Sequence, residues 1–306
     1  MSENNAVAEK VELGMPEVWV KRGTNGQIRS VRSKLVLREA QNELVEVAGK
    51  LTVSAIGYYR ANQIASLGII TPDSIMIPGP QGAINVPNPY PIIDKESGTQ
   101  KGVWVKKIAV GYSPIGSMAV SSTTMYYDFN IYFLEDLQNK VMYNKDAGRL
   151  CFREQLTEQE KASGIFMPIE GSFGVWADTG HKEILKAIST WVQTKKFGER
   201  KAQTVAERNA LKHHPALSLQ LGDPQGPVKN RWLETLVIGW QHDHDYRELE
   251  EIALAADAGE EIVIDGRAVE TIVDSGKIEE VDVYAADEGD LDDISSGQTE
   301  PKEGLF

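Results

Sequence analysis

Residues 125–133 read MYYDFNIYF. Met125, Tyr127, Phe129, Ile131 and Phe133 alternate with Tyr126, Asp128, Asn130 and Tyr132. Successive side chains of a strand point to opposite faces, so a period of two is the signature of a β-strand. No other stretch of the chain alternates as cleanly. Working outward, residues 104–112 before it and 141–143 after it read as its partners in an antiparallel meander. Asn144, Asp146 and Gly148 supply turn chemistry beyond the last of these.

Away from this centre the period changes. Between about His181 and Lys212, Ile184, Leu185, Ile188, Trp191 and Val192 recur at helical spacing. Gly198 is expected to break or kink that helix, and Pro215 to stop it. A last helix is predicted over residues 231–240 or a little further. Near the start, residues 51–59 suggest a strand leading into a short helix over 60–67. Residues 71–100 are punctuated by Pro72, Pro78, Pro80, Pro87, Pro89 and Pro91. Proline removes donors and blocks helix, so this segment reads as ordered loop or edge strand. The fold class that follows is α+β, an antiparallel β-meander packed with helices.

Charge divides the chain. The net charge is −13, but residues 246–306 hold 19 acidic and 4 basic side chains and so carry −15. Residues 1–245 are left near neutral, at +2. The predicted organisation is therefore a flexible basic arm and lead-in over 1–50, a core over 51–245 and an acidic tail over 246–306. From about Ala285 the tail has the composition of a disordered segment. Within the arm, residues 21–38 contain Lys21, Arg22, Arg29, Arg32, Lys34 and Arg38 without an acid, with a turn at Gly23, Asn25 and Gly26. Cys151 is the only cysteine, which rules out an internal disulfide and a zinc site built on cysteines. Residues 1–10 are polar and lack the apolar stretch of a leader. No run of 18 apolar residues offers a membrane span. A cytoplasmic protein is expected.

Four constellations bear on chemistry. In the second half of the long helix, Ala202, Val205, Ala206 and Ala210 share one face at about 100° per residue. Arg200, Thr204 and Arg208 lie opposite, with Lys201 and Lys212 at the edge. Small residues inward suit close packing on a sheet, and cations with a hydroxyl outward suit phosphates. A solvated amphipathic face is the plain alternative. Residues 181–214 as a whole hold eight Lys and Arg against three Glu. Tyr58, Tyr59, Tyr90, Tyr126, Tyr132 and Trp176 are aromatics that such a basic surface could interleave, as in single-strand binding. The third constellation is the acidic tail ending in Leu305 and Phe306, a docking peptide or a plain solubiliser. The fourth is His213, His214, His242, Asp243, His244 and Asp245. Alternating spacing on a helix would point these to different faces, so they converge only if the local backbone is extended, and no metal site is expected. No P-loop, dinucleotide glycine pattern or nucleophile elbow appears, and neither a catalytic residue nor a cofactor is predicted.

Residues 197–215, FGERKAQTVAERNALKHHP, resemble the signature helix of phage single-strand annealing proteins of the RecT/Redβ type. Thr204, Arg208, Lys212 and Pro215 match its pattern, while Gln203 stands where the family has Lys. Arg200 or Lys201 would then supply that charge. The resemblance implies binding of single-stranded DNA along a basic groove and annealing of complementary strands without ATP. It also implies a homo-oligomer, ring or filament. A nuclease or replication protein is the partner expected for the tail. The residues expected at DNA are Lys196, Arg200, Lys201, Thr204, Arg208 and Lys212, with Arg29 and Arg32 from the arm. A passive single-strand-binding protein and a virion structural protein are the rival readings.

Overall fold

The computed structural model describes residues 9–12, 17–23, 26–47, 49–264 and 266–274, with side chains from Ser30 onward. The C-terminal segment expected to be disordered, with Leu305 and Phe306, lies outside the described residues. The fold is α+β, as the sequence predicts. Its chain divides into two compact units that interleave along the sequence. The first comprises Met1–Asn88, Val105–Met125 and Gln203–Phe306; the second comprises Pro89–Trp104 and Tyr126–Ala202.

In the first unit, β1 (Glu9–Glu12), β2 (Glu17–Gly23) and β3 (Gly26–Arg38) open the chain. The segment expected as a flexible basic arm is thus largely strand. β3 pairs along its length with β15 (Trp232–Gln241), giving a sheet of order β1-β2-β3-β15. The helix predicted over 231–240 is that strand. Leu233, Thr235, Val237 and Gly239 face inward while Glu234 and Leu236 face solvent, an alternation that overrides the helical reading. A hairpin of β4 (Leu44–Val47) and β5 (Lys50–Val53) leads into α1 (Ala55–Ala65). The helix begins before the predicted start, because the Ser54 hydroxyl caps it by accepting from the Gly57 amide at 3.2 Å. Gly57, Ala61 and Ala65 form a buried small face. A Cβ added at Gly239 would collide with the Ile64 carbonyl, so α1 lies almost backbone to backbone on β15.

The central sheet begins in the same unit. β6 (Gly68–Ile70) precedes a hairpin of β7 (Ser74–Gly79) and β8 (Gly82–Pro87) that forms its own two-stranded sheet, and β9 (Tyr90–Ile93) follows in the second unit. These strands occupy the proline-punctuated segment. β10 (Gln100–Tyr112) and β11 (Met118–Asp128) are joined by a tight turn in which Ser113 donates to the Ser117 carbonyl at 2.8 Å. The sheet order is β18-β11-β10-β6, with β9 also on β10. β18 (Glu270–Asp274) runs parallel to β11. α5 (Tyr246–Asp257) covers one face, packing Leu249, Ala253 and Ala256 on Ile70, Ile108, Val110 and Val120. A short hairpin of β16 (Val263–Ile264) and β17 (Arg267–Ala268) lies between α5 and β18. The folded body therefore runs through Asp274, not only to residue 245. Glu248, Glu251, Glu260, Glu261 and Glu270 are exposed, while Asp257 turns inward to Lys106 and the Ser122 hydroxyl.

The alternation over residues 125–133 is cut at Asp128. Its carboxylate accepts from the Asn130 amide at 2.9 Å and caps α2 (Phe129–Tyr143). Phe129, Phe133, Leu137 and Val141 are buried at helical spacing, which the period-two pattern shares at every fourth residue. The strand predicted over 141–143 is the last turn of α2. The second unit then forms the sheet β12-β14-β13 from β12 (Gly148–Phe152), β13 (Gly164–Glu170) and β14 (Phe173–Asp178), with α3 (Glu158–Ser163) between the first two. Val175 and Ala177 meet Phe133, Leu137, Ile184 and Ala187 in its core. No described helix is long and apolar enough to cross a membrane.

Candidate nucleic-acid interface

α4 (Lys182–His213) is the long helix the sequence predicts. It starts where the His181 ring nitrogen Nδ1 accepts from the Glu183 amide at 3.3 Å. It ends before Pro215, whose ring cannot continue it. Gly198 does not break it. A Cβ there would strike the Phe129 ring, so close packing requires glycine.

In its first half the helix is amphipathic. Ile184 and Ala187 are buried, and Trp191 stacks on Phe133 with ring centroids 4.3 Å apart. Lys182, Lys186, Ser189, Gln193, Lys196 and Arg200 are all exposed. Their spacing alternates four and three residues, so they form one stripe on one side. At 1.5 Å per residue that stripe is about 27 Å long. It contains no acid. The nearby Glu183 is engaged by Lys186 at 2.6 Å and by Lys140 at 3.7 Å, and these cations hold its carboxyl below the usual range. Lys195 stands apart from the stripe. Its ammonium sits 4.2 Å above the Trp191 ring and donates to the Thr99 hydroxyl at 3.0 Å.

The line of the stripe continues through Thr204, Glu207 and Leu211, but there it is covered. Thr204 hydrogen-bonds Tyr59, whose hydroxyl is pushed up by burial and by the charge of Glu207. Burial likewise raises the Glu207 carboxyl, against the opposing effect of Lys107. Leu211 is fully buried. Ala202, Val205, Ala206 and Ala210 are buried as predicted.

Arg208 overturns its assignment. It is only 1 % exposed and cannot reach a phosphate outside the protein. Its guanidinium donates to the Asn209 side chain at 3.2 Å and to the Val53 carbonyl at 3.4 Å, 5.7 Å from the Tyr58 ring centroid. The wheel placed it outward because a wheel assumes one buried face, whereas this half of α4 is enclosed by α1 and β5 as well. Lys201, Thr204 and Lys212 are half-buried, and each has interactions within the protein. Lys196 and Arg200 are exposed as expected, and Arg200 too has an interaction within the protein. Arg29 lies on β3 in register with Gln241. Arg32 is exposed on β3, opposite Ile238, in the first unit. Lys182, Lys186 and Gln193 join Lys196 and Arg200 on the stripe without having been expected there, although the spacing is legible in the sequence.

Residues 242–245 are not helical, so His242 and His244 turn to the same side, with ring centroids 5.4 Å apart. His244 is held between the Tyr112 hydroxyl at 3.1 Å and Glu248 at 3.2 Å. Among the described residues, no group of three or more His, Cys, Asp and Glu is placed to hold a metal ion. Several of the candidate aromatics have structural roles. Tyr58 is buried, Tyr132 packs on Tyr127 at 4.5 Å, and Trp176 donates to the Glu160 carbonyl at 2.9 Å. Comparison with family models, with curated proteins and with solved structures finds no match to this chain.

Proposed function

We propose that this protein binds single-stranded DNA along the exposed stripe of α4 and anneals complementary strands without ATP. The observation that carries the binding is the acid-free run of Lys182, Lys186, Lys196 and Arg200 along about 27 Å of one helix side. Such a row neutralises successive phosphates, and the amide and hydroxyl of Gln193 and Ser189 add hydrogen bonds between cations. Annealing, and assembly into a ring or filament, rest on the resemblance of residues 197–215 to annealing proteins. The triple variant Lys186→Ala/Lys196→Ala/Arg200→Ala tests the binding surface. Each cation lost from a single-strand site lowers the salt slope by about 0.7, so the triple should lose about two units and bind weakly. Unchanged affinity and slope would remove α4 from the interface. Mixing labelled complementary strands with the full chain then separates annealing from passive coating: only an annealing protein accelerates duplex formation.

A further inference from the structure

Three aromatic rings of the second unit line up across neighbouring strands. In the register of β9 and β10, Tyr90 lies directly opposite Trp104. The Trp104 ring stands 5.1 Å from that of Tyr126, on the neighbouring strand β11. The rings therefore cross three strands in one row, at the pitch of about 4.8 Å that strand spacing sets. All three are half-buried. Tyr126 lies over Gly102, where any side chain would collide with it. Neither tyrosine hydroxyl nor the Trp104 N–H has a hydrogen-bond partner among the described residues, and none of these atoms is sealed from solvent. Trp176 and Tyr59, by contrast, are bonded at their polar ends.

Cations lie toward the start of β10. Lys101 is exposed on β10. The bond from Lys195 to Thr99 ties α4 to the turn between β9 and β10. From Thr99 to Trp104 is about 17 Å along the strand, the reach of a few nucleotides.

We propose that Tyr90, Trp104 and Tyr126 form a stacking platform for consecutive unpaired nucleobases. This rests on the reading of α4 as the surface that holds the phosphates of the same strand. Stacking on a ring needs only the flat face every base has, so the platform grips a strand without reading its sequence. Burial, and then the charge of Asp128, push the Tyr126 hydroxyl up to about 12, so near neutral pH it stays a donor at the platform's edge.

The test uses the full chain, a labelled oligo-dT and an abasic deoxyribose-phosphate strand of the same length. Wild type should bind oligo-dT on the order of tenfold tighter than the abasic strand. Trp104→Leu should abolish that preference and leave abasic binding and its salt dependence unchanged. Equal wild-type affinities for the two strands overturn the platform and leave α4 standing. Binding to neither strand overturns both. Should Trp104→Leu not fold, Trp104→Phe keeps a ring in the row, and the difference in tryptophan emission between wild type and that variant isolates Trp104. Quenching of that difference signal by oligo-dT but not by the abasic strand supports the platform. An identical response to both strands, or none, overturns it.

Discussion

Two buried polar side chains show what a single residue can decide in this fold. Arg208 is a cation by sequence and a core residue by position. Truncating it leaves the Val53 carbonyl without its donor and opens a void beside Tyr58. Arg208→Ala should therefore cost about 3 kcal/mol in urea unfolding while the salt slope of strand binding stays as in wild type. A stable variant with a reduced slope would return Arg208 to the interface. His214 is fully buried, and its Nδ1 accepts from the Ala216 amide at 3.1 Å. Its Nε2 therefore carries the hydrogen and donates to the Ala119 carbonyl at 3.0 Å. Protonating Nδ1 breaks the first bond and buries a charge, so desolvation lowers this histidine from 6.5 to about 4. In the unfolded chain it takes up its proton near 6.5, so the stability it contributes is complete above that pH. Between 6.5 and about 4 stability should fall by roughly 1.4 kcal/mol per pH unit. His214→Gln should flatten the profile in that window. Parallel profiles for variant and wild type would show that His214 titrates normally.

At the scale of elements, α4 obeys two rules along its length. Its first half is an amphipathic surface helix; its second half is a core helix clothed on more than one side. Gly198 lies between them against Phe129. Alanine is the better helix former by about 1 kcal/mol, so Gly198→Ala in an open or kinked helix would stabilise. Against the Phe129 ring it should instead destabilise by roughly 1–3 kcal/mol through overpacking. The sign of the change in thermal midpoint decides between the two. α2 carries a related lesson. Spacings of two and of four coincide at Phe129, Phe133 and Leu137, and only the cap at Asp128 distinguishes strand from helix. The capping signal, an Asp just before an apolar residue, was present in the sequence but weaker than the alternation around it.

Over the whole molecule, charge is the property that sequence shows best. Residues 275–306 hold ten acidic and two basic side chains, and they lie outside the described residues. A polyanion tethered to a basic stripe competes with nucleic acid at an effective concentration on the order of millimolar. Deleting residues 285–306 should tighten single-strand binding at low salt, and the gain should shrink as salt screens it. Identical isotherms at every salt concentration would leave the segment a solubiliser. Removing only Leu305 and Phe306 should not alter DNA binding, because neither carries a side-chain charge.

By itself the sequence determined the α+β class, the extent of α4, the buried Ala202–Val205–Ala206–Ala210 face and the separation of acid from base along the chain. These follow from local periodicity and composition, which need no knowledge of what packs against what. Tertiary structure alone decided that residues 26–38 and 232–241 are paired strands. Their hydrogen bonds join segments nearly 200 residues apart, and no local window contains both. It also decided which cations face water. A helical wheel gives each residue an angle, but the number of sides that are covered depends on α1, β5 and the central sheet arriving from elsewhere. That is why Arg208 moved to the core.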